Sequence, residues 1–205
     1  MAAPNILTIG HSTHPIERFV ALLKQHGVTA LADVRSAPFS RFNPQFSRDA
    51  LQESMKDAGI AYIFLGKELG GRSNDRSCYE NGRVLYERLA KTEAFRSGIE
   101  RVRKGAQEYR VALMCAEKEP LECHRTLLVA KALEREGETV IHIHADGHLE
   151  PHADAMRRLL DITGMPPPDM LSSEAELIEE ASRRQEAKVA YVEEEQADYK
   201  KESAG

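Results

Sequence analysis

Apolar residues along the chain alternate between short continuous runs and stretches with helical spacing. The short runs, bounded by turn-forming or charged residues, are typical of buried strands. They predict five strands, at 6–9, 30–34, 60–65, 110–114 and 139–144. Apolar faces at helical spacing predict the intervening helices, which lie between Pro15 and Gly27, over 48–58, over 85–104 with a break at Thr92, from Arg125 to Gly137, and over 153–162.

Strands that alternate with helices at this spacing are typical of βαβ units. We therefore predict a three-layer, Rossmann-like α/β fold, in which a mostly parallel five-stranded sheet carries helices on both faces. With the predicted strands numbered along the chain, we expect the order 3-2-1-4-5. The first and fourth strands are then neighbours where the order reverses, and ligands bind beyond the carboxyl ends of strands at such a point.

The alternating pattern ends before a run of prolines. Residues 1–163 are predicted to form the α/β domain, and three successive prolines follow at 166–168. Residues 164–205 are predicted to be a proline-rich linker and a charged tail, helical over 175–192. That helix is either solvated or in contact with a protein partner or a second subunit. A polar stretch that ends at Arg83 has no periodicity, so we expect a long loop or lid there.

The composition of the 205 residues, 41% hydrophobic and 30% charged, is that of a soluble globular protein. A net charge of −5 argues against a protein that coats nucleic acid through bulk charge, but it does not exclude a local basic pocket. No apolar run approaches the ~20 residues that cross a bilayer. The N-terminus lacks the segments of a signal peptide, so we expect a cytoplasmic protein without membrane contact. Three cysteines cannot all pair, and we expect reduced thiols, with Cys78 incidental in its loop.

The densest chemistry lies between the fourth strand and the helix after it, where Cys115 and Glu117 precede the triplet Cys123, His124 and Arg125. A thiol at a helix start and near an arginine can have its pKa lowered from ~8.5 into the range ~3.5–7.5, which makes it a thiolate at neutral pH. Either cysteine is therefore a candidate nucleophile. Each also has a plainer interpretation as a small buried residue.

Other polar residues follow the remaining strands. His11 or His124 would be the acid–base group, while Asp33 would orient a base or pair with Arg35. Histidines at 142 and 144 share one face of the fifth strand and are expected to be packed or hydrogen-bonded. The candidate catalytic residues are thus Cys115, Cys123, His11, His124, Asp33 and Glu117, and the candidate substrate-binding residues are Ser12, Arg35, Arg41, Arg72 and Arg125.

Arginines and phenylalanines cluster in the sequence after the second and third strands. They predict a cationic, aromatic rim for an anionic or base-bearing ligand, although phenylalanines also simply cover sheet edges. The residues of this predicted rim are Arg35, Arg41, Arg72, Phe39, Phe42 and Phe46.

Three functions stay open on these residues. The leading hypothesis is an intracellular enzyme with a thiol-dependent step on an anionic substrate, small or polynucleotide, that bears phosphate or carboxylate. The competing hypothesis is a non-catalytic module that holds a nucleotide, nucleic acid or protein through the same rim. A metal site is the third, from Cys115, Cys123, His124 and His11, but the gap between the thiols matches no usual zinc knuckle and no metal ligand is assigned. The sequence does not identify a cofactor.

Several separated motifs occur in order. They are Thr8-Ile-Gly-His-Ser12, Leu31-Ala-Asp-Val-Arg35, Ser40-Arg-Phe-Asn-Pro-Gln-Phe46, Tyr62 through Leu65-Gly66, Glu68-Leu-Gly-Gly-Arg72, and Leu113-Met-Cys-Ala-Glu117 through Cys123-His-Arg125. Together, over about residues 6–145, they resemble the bacterial domain of unknown function 488 family. The resemblance implies an α/β domain with a cysteine- and histidine-bearing site and no established activity. By position it implies the site residues His11, Asp33, Arg35, Cys115, Glu117, Cys123, His124 and Arg125. The tail after Pro168 lies outside it.

Overall fold

A computed structural model describes residues 6–193. The strands of this part of the chain are β1 (Ile6–Gly10), β2 (Ala30–Asp33), β3 (Ala61–Phe64), β4 (Tyr79–Glu80), β5 (Arg83–Val84), β6 (Val111–Cys115), β7 (Val140–Ile143) and β8 (Leu149–Pro151). Six of them form the central sheet in the order β3-β2-β6-β1-β7-β8. Neighbouring strands of this sheet run parallel, except that β7 and β8 run antiparallel. β4 and β5 form a separate antiparallel hairpin.

The predicted strand order is wrong in one place, because β6 lies between β1 and β2 and not beyond β1. The expected neighbours β1 and β6 do pair, with Gly10 beside Cys115. Both strands are buried along their whole length, so their apolar patterns do not distinguish the two positions. Because β6 lies between β1 and β2, its end, with Cys115, lies between the ends of those two strands.

The sheet also has one strand more than the five predicted. β8 returns antiparallel to β7 after a turn at Gly147, whose φ of 99° is readily adopted only by glycine. Its three residues are partly or fully exposed and include Pro151 at the sheet edge. Such a short, polar edge strand carries almost no apolar pattern, which explains why the sequence does not predict it.

Helices cover both faces of the sheet, as predicted, and give three layers. The α-helices are α1 (Ile16–Gln25), α2 (Arg48–Asp57), α3 (Gly66–Leu69), α4 (Tyr86–Leu89), α5 (Glu93–Glu108), α6 (Lys131–Arg135), α7 (His152–Thr163) and α8 (Glu174–Val189). Short 3-10 turns lie at Pro44–Phe46, Arg76–Cys78 and Pro120–Glu122, and a π-helical turn, Arg125–Ala130, leads into α6. The predicted break at Thr92 is confirmed, because its side chain accepts a hydrogen bond from the Phe95 N–H and caps α5.

Alternate side chains of each strand enter two separate cores. One face of the sheet packs against α1 and α2, for example through Leu7 and Leu31. The other face packs against α5, α6, α7 and α8, for example through Ile6 and Leu113. Helices cover both faces of every inner strand. The polar side chains that follow these strands therefore lie beyond the strand ends.

The stretch expected as a loop or lid before Arg83 is more ordered than its composition suggests. It contains α3, the turn Arg76–Cys78 and the hairpin of β4 and β5. Cys78 is fully buried in the core, so it packs in the interior although it lies in this polar stretch. The stretch is anchored to the domain and does not stand free of it.

The tail helix α8 packs on the domain and is not solvated as one alternative held. Leu177 and Ala181 are buried, and Ala181 joins the core on the α5 side of the sheet. Ser173 and Glu176 form a capping box at its start. Gln185 donates a hydrogen bond of 3.0 Å to the Leu121 carbonyl. None of the helices within 6–193 is long and apolar enough to cross a membrane.

Candidate functional site

A cavity of about 610 Å³ opens at the carboxyl ends of β1, β2 and β6. This is the edge at which the sequence predicts the polar residues to meet. The candidate residues that line the cavity are His11, Ser12, Arg35, Arg72, Cys115, Glu117 and His124. Segments far apart in the chain therefore share one space.

Four candidates do not line this cavity. Asp33 and Cys123 lie one layer behind it, in contact with Arg35 and Glu117 respectively. Arg41 is exposed outside it, with its guanidinium 5.9 Å from the ring centre of Phe42.

Arg125, expected to hold an anion, is 0% exposed and donates hydrogen bonds to the Glu117 and Lys118 carbonyls at 2.7 and 3.3 Å. Its guanidinium therefore holds the loop after β6 and is not available to a ligand.

The centre of the site is a cluster of two thiols and one imidazole. Nε2 of His124 lies 2.9 Å from the Val34 carbonyl, which can only accept, so this nitrogen carries a proton. In the neutral ring Nδ1 is then the basic nitrogen. Nδ1 lies 3.7 Å from Sγ of Cys115 and 3.9 Å from Sγ of Cys123. The backbone of β2 thus aims the lone pair of His124 at both sulphurs.

Opposing pKa shifts divide the roles of the two thiols. Burial, together with the hydrogen bond and charge of Cys123, raises the pKa of Cys115 well above its usual value. Burial also acts to raise the pKa of Cys123, but the hydrogen bond from Cys115 and the charges of Arg125 and His124 outweigh it and lower that pKa strongly. A thiolate is therefore more favourable on Cys123 than on Cys115.

A carboxyl group completes the cluster. Sγ of Cys123 lies 2.9 Å from Oε2 of Glu117. Burial and the neighbouring Cys123 raise the pKa of Glu117. Burial acts to lower the pKa of His124, but the charge and hydrogen bond of Cys123, the Val34 carbonyl and the charge of Glu117 together outweigh it and raise that pKa. Three groups with displaced pKa values that share protons over short distances are typical of sites for proton transfer and nucleophilic chemistry.

A second network holds the wall formed after β1 and β2. Asp33 binds Arg35 with both oxygens, at 2.9 and 2.7 Å, and accepts a hydrogen bond of 2.9 Å from the Tyr62 hydroxyl. Arg35 also donates to the Phe46 carbonyl at 2.8 Å. The interpretation of Asp33 as a partner of Arg35 therefore fits better than that of a carboxylate that orients a base.

His11 belongs to this second network and not to the thiol cluster. Its Nδ1 donates to the Ser12 carbonyl at 2.8 Å, so Nε2 is unprotonated and accepts from Nη1 of Arg35 at 3.3 Å. Burial lowers the pKa of His11 to about 4, and its ring stacks on Phe46. His11 is neutral at pH 7 with both nitrogens engaged, which leaves His124 as the better placed acid–base group.

The backbone after β1 approaches the loop after β6 very closely. A Cβ atom at Gly10 would lie 1.9 Å from the Glu117 carbonyl oxygen, so only glycine fits there. Ser12 adopts φ of 48°, which is uncommon outside glycine, and its N–H donates to the Ala116 carbonyl at 3.0 Å. Backbone in such a conformation is frequent in ligand sites.

The predicted aromatic rim is only partly formed. Phe39 and Phe42 are 72% and 87% exposed, and Phe39 lines the cavity. Phe46 is fully buried beneath His11 and is not a rim residue. Arg72 lies at the mouth with its guanidinium 4.0 Å from the ring centre of Tyr191.

Comparison with known proteins identifies the family. The profile of the Domain of unknown function DUF488 matches residues 15–132, more than half of the chain. The chain belongs to the DUF488 family. The match includes Arg35, Cys115 and His124 but begins after His11 and Ser12 and ends before β7, α7 and α8.

Other comparisons add little to the DUF488 assignment. No curated protein matches the sequence significantly. Among solved structures, a DUF442 protein from Shewanella putrefaciens CN-32, named as a candidate phosphatase, is 14% identical, with 92% of this chain and 91% of that chain covered and a TM-score of 0.39. A likeness at that level carries no argument about function.

Several lining residues of the DUF488 site are absent from the sequence-based set. Tyr86, Glu122, Val189 and Tyr191 face the cavity, and Tyr62 supports it from behind. Val189 and Tyr191 come from the tail, more than sixty residues after Arg125. No local pattern marks them, since their position depends on how α8 docks.

The cysteine–histidine cluster can also hold a metal ion. Sγ of Cys115, Sγ of Cys123 and Nδ1 of His124 all lie within 4.8 Å of one another. Bonds of ~2.0–2.3 Å to tetrahedral zinc separate its ligand atoms by about 3.5–3.8 Å, close to the sulphur–nitrogen distances found here. His11, the fourth residue considered, has its two ring nitrogens turned to Ser12 and Arg35.

Proposed function

We propose that this protein is an enzyme with a cysteine- and histidine-dependent step on an anionic substrate bound in the cavity. The observation that carries the proposal is the orientation of His124. Its Nε2 is fixed by the Val34 carbonyl, which turns Nδ1 toward the thiol of Cys115 in the cavity wall and that of Cys123 behind it, in a cavity that arginines also line. A base held within reach of a nucleophile by a third group is the arrangement that nucleophilic catalysis requires.

Cys115 is the better candidate for attack, because it lines the cavity whereas Cys123 lies behind it. Nδ1 of His124 would accept the proton of Cys115, which leaves a thiolate at the cavity and an imidazolium beside it. The Cys115 sulphur would then bond to the electrophilic atom of the substrate. The leaving group would depart with the bonding electrons and take a proton from the His124 imidazolium.

Arg72 is the residue best placed to attract the substrate anion. It is exposed at the mouth, whereas Arg35 is buried and held by Asp33. The N–H groups of a guanidinium lie in its own plane, so contact of its face with an aromatic ring does not use them. They can still donate hydrogen bonds to a phosphate or carboxylate. The hydroxyl of Ser12, also in the wall, adds a polar contact nearby.

Alkylation with two reagents of similar size and different charge tests the proposal. Native protein should be labelled at Cys115 at pH 7 faster by iodoacetate than by iodoacetamide, as seen by peptide mass spectrometry, while the buried Cys78 stays unlabelled. Arg72→Gln should remove the preference for iodoacetate and leave the iodoacetamide rate unchanged. His124→Gln should slow both reagents about tenfold or more, because the base that takes the proton of Cys115 is lost.

Two results would count against the thiol mechanism. One is that Cys115 and Cys123 react only after denaturation. The other is that His124→Gln reacts as fast as the native protein while its thermal midpoint is unchanged.

A binding module without catalysis is a second candidate, favoured by the exposure of Phe39 and Phe42 beside Arg41. Such a module would hold a nucleotide, a nucleic acid or a protein on this patch. Phe42→Ala and Arg41→Ala should then abolish binding, while Cys115→Ser retains it. A steep fall in affinity with salt would indicate a polyanion.

Metal binding by the thiol cluster is a third candidate, supported by the spacing of its three ligand atoms. Elemental analysis of the purified protein separates it from the first, because a bound ion would occupy both thiols and block alkylation. Stoichiometric zinc that is lost in Cys123→Ser would favour the metal site over the thiol mechanism.

A further inference from the structure

The outer wall of the cavity is built from the end of the tail, which the family match does not reach. Val189 and Tyr191 line the cavity, although the matched residues end at 132. The helix before them is fixed, because Leu177 is buried against the domain and Gln185 binds the Leu121 carbonyl. The position of this wall is therefore set by the packing of α8.

The residues after α8 are also held from the other side. The Val84 N–H donates to the Tyr191 carbonyl at 2.9 Å, and the Glu193 N–H donates to the Gly82 carbonyl at 2.9 Å. Val192 forms an isolated antiparallel bridge with Arg83, so this segment lies along the hairpin of β4 and β5. These hydrogen bonds hold the backbone of this segment beside residues 82–84, which opposes its displacement by a ligand.

The side chain of Tyr191 meets the arginine at the mouth. The guanidinium of Arg72 lies 4.0 Å from the ring centre, while the Arg72 N–H donates to Oγ of Ser36 at 3.1 Å. The ring thus both narrows the mouth and supports the cation that faces the cavity. Removing the ring would widen the opening and free the arginine.

We propose that Tyr191 sets the size limit of the substrate, so that the site accepts a small anionic molecule and excludes a polymer. The inference rests on the proposed function, since it concerns access to the same thiols. A volume of about 610 Å³ is that of a pocket for a small molecule. A polynucleotide would need an open groove, which the segment from 189 to 193 closes on one side.

Two anionic thiol reagents of different size test this limit on the full-length protein. Iodoacetate is small, whereas 5,5′-dithiobis(2-nitrobenzoate) carries two aromatic rings. Tyr191→Ala should raise the rate with the bulky reagent about tenfold and change the iodoacetamide rate little. Tyr191→Phe, which keeps the ring, should behave as the native protein.

Tyr191→Leu separates the size of the ring from its interaction with the cation. It should keep the bulky reagent slow while it weakens the preference for iodoacetate over iodoacetamide. Thermal midpoints of all three variants show whether the fold persists. If Tyr191→Ala does not fold, Tyr191→Val, which also removes the ring, should show the same gain with the bulky reagent.

The outcomes distinguish the two proposals. If the native protein reacts with iodoacetate but Tyr191→Ala gains nothing with the bulky reagent, the size limit is refuted and the thiol mechanism stands. If the native protein already reacts as fast with the bulky reagent as with iodoacetate, the size limit is again refuted. If no reagent reaches Cys115 or Cys123 in the folded protein, both proposals fail.

Discussion

Acid should destabilise this protein through buried neutral histidines. Nδ1 of His142 lies 2.7 Å from Oγ1 of Thr8, and its Nε2 lies 3.0 Å from Nδ1 of His152. Both rings are fully buried. Burial, helped by Lys131, lowers the pKa of His152 to about 4, and burial and His152 lower the pKa of His142 well below its usual value. The folded state therefore resists protonation that the unfolded state accepts.

The size of the effect follows from the proton balance. A histidine with a pKa of about 4 in the folded state and 6.5 in the unfolded state stabilises the fold fully above pH 6.5 and loses this contribution as the pH falls toward 4. Between pH 7 and pH 5 the loss is about 2 kcal/mol for each such group. His11 has a similar shift, so together with His152 it should lower the free energy of unfolding by about 4 kcal/mol over this interval.

Urea denaturation at pH 7, 6 and 5, followed by far-UV circular dichroism, measures this dependence. His152→Gln should start less stable at pH 7 but lose about 2 kcal/mol less than the native protein between pH 7 and pH 5. His148→Gln is the control, because His148 is exposed, lies four residues before His152 and does not contact the buried pair of His142 and His152. The pKa values of Glu117 and His124 are raised and not lowered, so they change the stability with pH in the opposite direction. This contribution is the same in the native protein and in both variants, so it cancels when their pH dependences are compared. Parallel curves for the native protein and His152→Gln would refute the reasoning.

Three further substitutions test the frame of the site by thermal unfolding. Asp33→Asn removes the buried partner of Arg35 and should cost about 3–5 kcal/mol, so an unchanged midpoint would contradict the role of this ion pair. Gly10→Ala places a methyl group on the Glu117 carbonyl and should cost about 3 kcal/mol; a fully stable variant would show that the two backbones can separate. Thr92→Ala removes the cap of α5 and should cost about 1 kcal/mol, or about 2–4 °C, with no change in thiol labelling.

Elements that are buried on both sides, or that carry strong end signals, are predictable from this sequence. β6 is an uninterrupted apolar run between charged residues, and Thr92 marks a helix start through its own side chain. The order of the strands is not predictable in the same way. β1 and β6 have the same fully buried pattern, so only three-dimensional packing decides which of them lies next to β2.

The sequence predicts those parts of the candidate site that depend only on where the strands end. Because parallel strands end at one edge, Cys115, Arg35 and His11 are brought together whatever the exact order of the strands. That rule does not predict the direction in which each side chain points. Arg125 follows Cys123 by two residues, yet the π-helical turn that begins there sends its guanidinium inward to backbone carbonyls.

The buried charges of this site hold its walls in place, whereas its exposed charge at Arg72 is accessible to a ligand. Arg125 holds the loop that carries Glu117, and the pair of Asp33 and Arg35 holds the wall after β2. Both guanidiniums are already bonded, so an incoming anion would have to displace protein partners to reach them. Arg72 is exposed at the mouth and needs no such exchange. Specificity for an anion should therefore reside in Arg72, which Tyr191 of the tail supports, while any reactivity of the thiols should depend on groups that the sheet fixes.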